Sequence, residues 1–339
     1  MNINQAIMNN PLDSNRHNLT TNNHDEKVDL ITKSGHNFIA DQIFTWLVYL
    51  FATTTVIILF FMSWIIFKEA QPAISTFGLG FLWSQEWDTG NQLFGALPYI
   101  YGTVTSSAIA IFFALPIGVS VALVTSENFL PVSIRNGLAF IVELIAAIPS
   151  VIIGLWGIFI FIPLVEPLQK WLASTCNFIP IFNTVDPVGT NLFTAGMILA
   201  IMILPTIASI FRDVLLVIPK ELRSASMALG STRWETIFRV LLPAGFSGLV
   251  SATMLALGRA LGETMAVTMV IGNSAQISFS FLDPSYTIPS VIANEFAEAE
   301  PGLHIGALSY LGLILFGLTL AINMGAAFLV QWIGNKNNR

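Results

Sequence analysis

Four stretches of this 339-residue chain, 42–67, 89–126, 187–211 and 301–335, contain no Asp, Glu, Lys or Arg. Each exceeds the ~20 residues that carry a helix across a ~30 Å hydrocarbon core. Two further apolar runs hold isolated charges: about Leu138 to Val165, with Glu143 near its start, and about Ala244 to Ile271, with Arg259 and Glu263 in its middle. None of these runs alternates apolar and polar residues as the strands of a membrane barrel do over about ten positions. The expected fold class is all-α integral membrane, with six transmembrane helices. Composition agrees, since only 10% of the residues are charged and 54% are apolar, against about 25% charged in soluble chains. The single cysteine, Cys176, excludes a disulfide-built scaffold. A net charge of −6 argues against nucleic acid as a partner.

Basic residues set the expected orientation, because they accumulate on the cytoplasmic side of a membrane. Placing both termini in the cytoplasm puts 11 of the 14 there: Arg16, Lys27 and Lys33 before the first span, Arg135, five between Arg212 and Arg239, and Lys336 and Arg339 at the end. Lys68 and Lys170 fall outside, and Arg259 lies within a span. Residues 1–41 read as a disordered cytoplasmic tail, with nine asparagines among the first 37 residues. The helix 42–67 then acts as a retained signal anchor. His17, His24 and His36 lack a fixed spacing or a cysteine partner, so no metal is expected there. His304 reads as a loop or interface residue. Trp46, Trp64 and Trp332 read as interfacial anchors. Pro98, Pro116, Pro149, Pro163 and Pro205 are expected to interrupt the helices of a packed bundle.

The loop 212–243 carries the clearest local signals. Pro219 suits the first turn of a helix over ELRSASMAL, and Gly230 stops it. Thr232 and Glu235 then form a capping box that opens a second helix. Ser224, Ala225 and Ser226, with Gly230 four positions after Ser226 and then Val240, Leu242 and Pro243, resemble the Glu-Ala-Ala coupling motif of ABC-importer permeases. Ser224 stands where that motif has its acid, and Glu221 or Arg223 on the same short helix is the expected substitute.

In the fifth run, LALGRALGETMAVTMVIGN, an arginine at the centre of a span costs about 2.5–3.5 kcal/mol and normally faces protein or water. Glu263 lies four residues on, which in an unbroken helix is one turn away on the same face. Gly258 and Gly262 have the same spacing and would let another helix approach closely. A guanidinium stays protonated and offers forked donors to a tetrahedral oxyanion. Two readings follow: an anion way-point whose charge Glu263 balances, or a structural ion pair between helices. Glu143 is expected to contact Arg135, Arg212 or a partner chain. Thr103, Thr105, Ser106 and Ser107 either line a polar path or bond their own backbone.

GRALGETMAV, FGALPYIYGTVTSSAIA, ELIAAIPSVIIGLWG, AIMILPTIASI and ALGSTRWETIFRVLLPAG together make the chain resemble the PstC-type permease subunits of bacterial phosphate ABC importers. The resemblance implies a type I ABC importer permease fold with one extra N-terminal helix, its core spanning 94–333. It also implies residence in the bacterial cytoplasmic membrane, with a second, PstA-type permease as partner. A dimeric ABC ATPase, using ATP and Mg on its own chains, would dock on the helix holding Glu221, Arg223, Ser224, Ala225, Ser226 and Gly230. An extracytoplasmic phosphate-binding protein would deliver inorganic phosphate to a path holding Arg259 and Glu263. No cofactor is expected on this chain, and it contains no GxxxxGK[ST] phosphate loop. A permease for another oxyanion, and a stand-alone anion channel or secondary carrier, are the alternatives.

Overall fold

The computed structural model describes residues 38–337, and all regular structure among the described residues is helical. The expected tail therefore lies almost wholly outside the described residues, as do His17, His24 and His36. The described residues divide into two compact units, 38–62 and 63–337. Helix α1 (Phe38–Phe77) already includes Phe38–Asp41 and runs ten residues past the expected end of the first span, into a 3₁₀ turn at Gly78–Leu82. Within the first unit, every side chain from Asp41 to Met62 is exposed. Because these residues are almost all apolar, that surface is suited to lipid or to another chain.

In the second unit, α2 (Leu97–Ser126) starts with Pro98 in its first turn, where a missing N–H costs nothing. Its 30 residues extend about 45 Å. It passes through three successive apolar clusters: Tyr99 in one with Phe81, Phe94 and Leu308; Ile109 and Ala114 in the central one; Ala122 and Leu123 in one with Phe211 and Leu215. Its main neighbour is α6 (Leu192–Val217), the most enclosed of the spans. A Cβ on Gly196 would lie 2.4 Å from Ile109, and one on Gly118 would lie 2.9 Å from Ile207. These contacts advance together along both helices, so α2 and α6 run parallel in van der Waals contact. Asn191 caps α6 by accepting the Thr194 N–H at 2.9 Å. Its amide also donates to buried Gln169, which in turn donates to Thr194.

The third apolar run departs from expectation. Instead of one helix over 138–165 there are two elements, α3 (Val132–Ala146) and a span beginning at α4 (Ser150–Trp156). The span continues through a π turn (Gly157–Phe161) into α5 (Ile162–Thr175). Pro149 explains the division: it disfavours helical backbone at Ile148 and cannot donate into the preceding turn. Pro163 follows the π turn, whereas Pro116 and Pro205 sit inside unbroken helices.

After α6 come α7 (Lys220–Ala228), α8 (Arg233–Thr236), a π turn (Ile237–Leu241) and α9 (Leu242–Ala244). A 69° bend at Gly245 leads into α10 (Phe246–Gly262), then α11 (Met265–Val270). The expected fifth span, 244–271, is thus broken. Beyond it lie α12 (Ile288–Glu295) and α13 (Leu303–Asn337), with His304 in the first turn of α13 rather than in a loop. Five described helices are long and apolar enough to cross a membrane, and the bent pair brings the number to six if counted as one span.

Gly102 marks the tightest contact between α2 and the 272–287 segment, since a Cβ there would lie 2.2 Å from the Tyr286 carbonyl oxygen. Gly102→Ala must push two backbones apart and should cost about 1–3 kcal/mol. Gly137→Ala, in open space on α3, should be neutral or stabilising by about 0.5–1 kcal/mol. Thermal unfolding in detergent distinguishes them.

Candidate functional site

Arg259 lies in the last turn of α10, where the unpaired carbonyls at a helix C-terminus favour a cation. The helix stops at Gly262, and Glu263 has extended backbone (φ −68°, ψ 123°). Glu263 is therefore not one helical turn beyond Arg259 on a shared face. Its Oε1 accepts the Ala266 N–H at 3.3 Å, closing the first turn of α11. Arg259 instead donates from Nη1 to Thr206 Oγ1 of α6 at 3.4 Å. Among the described residues, no ion pair joins Arg259 to Glu263. The paired-charge arrangement expected from their spacing fails because the interposed backbone leaves the helical path.

Arg259 is exposed on the wall of a cleft of about 810 Å³. Thr206, Ser251, Asn323 and Gln331 add polar groups to a largely apolar lining, and among the described residues Arg259 is the only charged one in it. Gly258 also borders the cleft, and apart from their own stretch of helix no described atom lies within 4 Å of a Cβ built on Gly258 or Gly262. The close helix approach expected at these two glycines is therefore not made among the described residues. A forked cation beside hydroxyls and amides can hold an oxyanion and exchange its hydration for directed hydrogen bonds. Thr206, Asn323 and Gln331 were not singled out from sequence. The available signal was the rarity of amides inside the run 301–335, since polar residues within spans usually serve a purpose.

The loop after α6 folds as its local signals require. Pro219 caps α7, Gly230 adopts φ +90° just past its end, and Thr232 and Glu235 form the reciprocal capping box. Glu221, Ser224, Ala225 and Gly230 are exposed, whereas Ser226 is buried with its Oγ 3.0 Å from Thr236 Oγ1. Arg223 turns inward and pairs with Glu127 at 2.9 Å, so it is not presented at the surface as a substitute for the acid that Ser224 replaces. Glu127, just past the end of α2, was missed from sequence, where it reads as one more loop charge.

Glu143 lies on α3, before the span rather than in it, and reaches Arg212 at 3.8 Å. Arg135 is bonded to Asn128 instead. Thr103, Ser106 and Ser107 are buried, and Thr105 is partly so. Thr103 donates to the Tyr99 carbonyl and accepts the Ile288 N–H, while Ser106 donates to the Thr103 carbonyl. Thr103 thus joins α2 to the start of α12, whereas Ser106 bonds the backbone of its own helix. Near that end of α2, Glu295 accepts from Trp87 Nε1 at 3.0 Å and contacts His304 Nε2 at 3.1 Å. Asp88, Glu298 and Glu300 border the same cleft, of about 640 Å³.

The profile of the family described as "Binding-protein-dependent transport system inner membrane component" matches residues 114–336. A phosphate transport system permease protein PstC from Pasteurella multocida is 42% identical over 302 residues, covering 88% of this chain and 92% of that protein. The PstC protein of Mesorhizobium japonicum is 44% identical over 272 residues, covering 79% and 83%. A solved bacterial ABC transporter involved in import of the acidic polysaccharide alginate shares the fold, with a TM-score of 0.59 and 17% identity over 87% of this chain and 98% of its own. The chain therefore belongs to the binding-protein-dependent transport system inner membrane components, in the branch of the phosphate transport system permease proteins PstC.

Proposed function

We propose that this chain is the permease subunit of an ATP-driven inorganic phosphate importer and forms half of its transmembrane path. The observation that carries the reading is Arg259, among the described residues the only charged one lining its cleft, in a chain whose relatives are named phosphate transport system permeases. Arg259 is the phosphate way-point, and Glu263 serves the path by ordering the turn that follows it. A PstA-type permease supplies the other half. A dimeric ATPase that uses ATP and Mg on its own chains docks on the exposed face of α7. An extracytoplasmic phosphate-binding protein engages the opposite end of the bundle. The chain resides in the bacterial cytoplasmic membrane with both termini inside.

Copurification of the complex from native membrane, followed by reconstitution into proteoliposomes, tests this reading. Phosphate should stimulate ATP hydrolysis and enter the vesicles, and sulfate and molybdate should do neither. Stimulation by sulfate or molybdate in place of phosphate would assign another oxyanion, and uptake by this polypeptide alone would make it a channel or carrier. Arg259→Gln should abolish uptake while the complex stays assembled. Because Arg259 and Glu263 are not paired, the exchanged double variant Arg259→Glu with Glu263→Arg should remain inactive; recovered uptake would restore the paired-charge arrangement.

Orientation is tested separately in a Cys176→Ser background. Asn128→Cys and Leu229→Cys should react with an impermeant thiol reagent only from the cytoplasmic side. Thr89→Cys and Glu298→Cys should react only from outside. The reverse pattern would invert the topology.

A further inference from the structure

Arg223 sits on the short helix that the importer reading assigns to the ATPase, yet its side chain points the other way. All three guanidinium nitrogens donate inward. Nε and Nη2 reach Glu127 Oε1 at 3.0 and 2.9 Å, Nη2 also reaches the Leu215 carbonyl at 2.8 Å, and Nη1 reaches the Ile218 carbonyl at 2.9 Å. The Arg223 and Glu127 side chains are only 16% and 17% exposed, so water and salt screen them far less than a surface pair.

The acceptors belong to the ends of two spans. Leu215 lies in the last turn of α6 and Ile218 is its C-cap, where carbonyls have no partner within the helix and carry the negative end of its dipole. Glu127 is the residue that ends α2. One side chain therefore ties α7 to both members of the parallel pair at the centre of the bundle, where Ala122 and Leu123 already pack with Phe211 and Leu215. From Leu215, α6 continues unbroken back to Thr206, about 14 Å along its axis, and Thr206 accepts the hydrogen bond from Arg259. Only helical backbone separates the guanidinium on the ATPase-facing helix from the one in the cleft.

We propose that the Arg223–Glu127 clamp is a positioning device. It transmits displacement of α7 to the ends of α2 and α6, and through α6 shifts Thr206 against Arg259, changing how the cleft presents its cation. The proposal rests on the importer reading. It adds a residue that acts through α6 and touches neither cargo nor nucleotide. A flexible attachment would let α7 move while the spans stayed still. The fork, bonded to two carbonyls and a carboxylate, instead restricts rotation as well as translation.

The test uses the complete reconstituted complex and three variants. In Arg223→Gln, uptake per ATP hydrolysed should fall about tenfold or more while hydrolysis itself is retained. Arg223→Lys, which keeps charge but loses the fork, should fall between it and wild type. Glu127→Gln leaves Arg223 to cap α6, so it keeps the proposal testable if Arg223→Gln fails to assemble; it too should lower the ratio. An unchanged ratio in both Arg223→Gln and Glu127→Gln would overturn the clamp, as would loss of uptake and hydrolysis in equal proportion in assembled complex.

A second readout does not depend on the cargo. With Cys176→Ser and Ser251→Cys, nucleotide should change the rate of maleimide labelling in the cleft, and Arg223→Gln should remove that response. A full response in Arg223→Gln would overturn the clamp. Absence of phosphate uptake by the wild-type complex, with the labelling response intact, would instead overturn the cargo assignment and leave the clamp supported.

Discussion

A peptide group inside a bilayer has no water to bond, so every helix end or break at membrane depth must find its partners within protein. That requirement organises the described part of this chain. The start of α6 is closed by Asn191, held in turn by Gln169, and its end by Arg223. The interruption after Gly262 is met by Glu263, which takes the Ala266 N–H. Thr287 opens α12 by accepting the Ser290 N–H. Polar side chains that sequence scarcity made conspicuous are thus concentrated at helix ends, where backbone valence demands them.

The same constraint separates two arginines of similar appearance. Arg223 donates from each of its three nitrogens to Glu127 and two carbonyls and is held by the fold. Arg259 makes one long bond to Thr206 and stands exposed in a cleft that holds no other charge among the described residues. A guanidinium left with free donors beside neutral polar groups is suited to a passing anion. One already committed on every nitrogen is suited to holding elements together. On the roles proposed above, cargo contact and mechanical connection fall to different side chains joined by one continuous helix.

The loop 212–243 was legible because its determinants are local. Pro219, Gly230 and the Thr232–Glu235 box act over three or four residues, and their backbone chemistry needs nothing from the rest of the bundle. The apolar runs were legible for a different reason, since length and lack of charge suffice to cross a membrane. The failures were of another kind. Leu138 to Val165 read as a single span interrupted at Pro149 because apolar character does not reveal that this proline divides the run into two separate elements, and α1 continued past Lys68 and Glu69 because charges at a span end do not stop a helix. Spacing placed Glu263 beside Arg259, yet one extended residue removed the premise of that spacing.

By itself the sequence determined that this chain lives in a membrane, roughly where its apolar helices fall, that one cation lies within an apolar run, and that a capped helix precedes the last third of the bundle. These follow from hydrophobic length and short-range hydrogen-bond chemistry. Tertiary structure alone decided that Arg259 meets Thr206 rather than Glu263, that Arg223 turns inward to Glu127, and that Thr103 accepts the Ile288 N–H and so joins α2 to α12. The partners in these contacts come from distant parts of the chain or from carbonyls freed at a helix end. Which of them a long, many-donor side chain reaches depends on how whole helices pack, and no local pattern of residues encodes that.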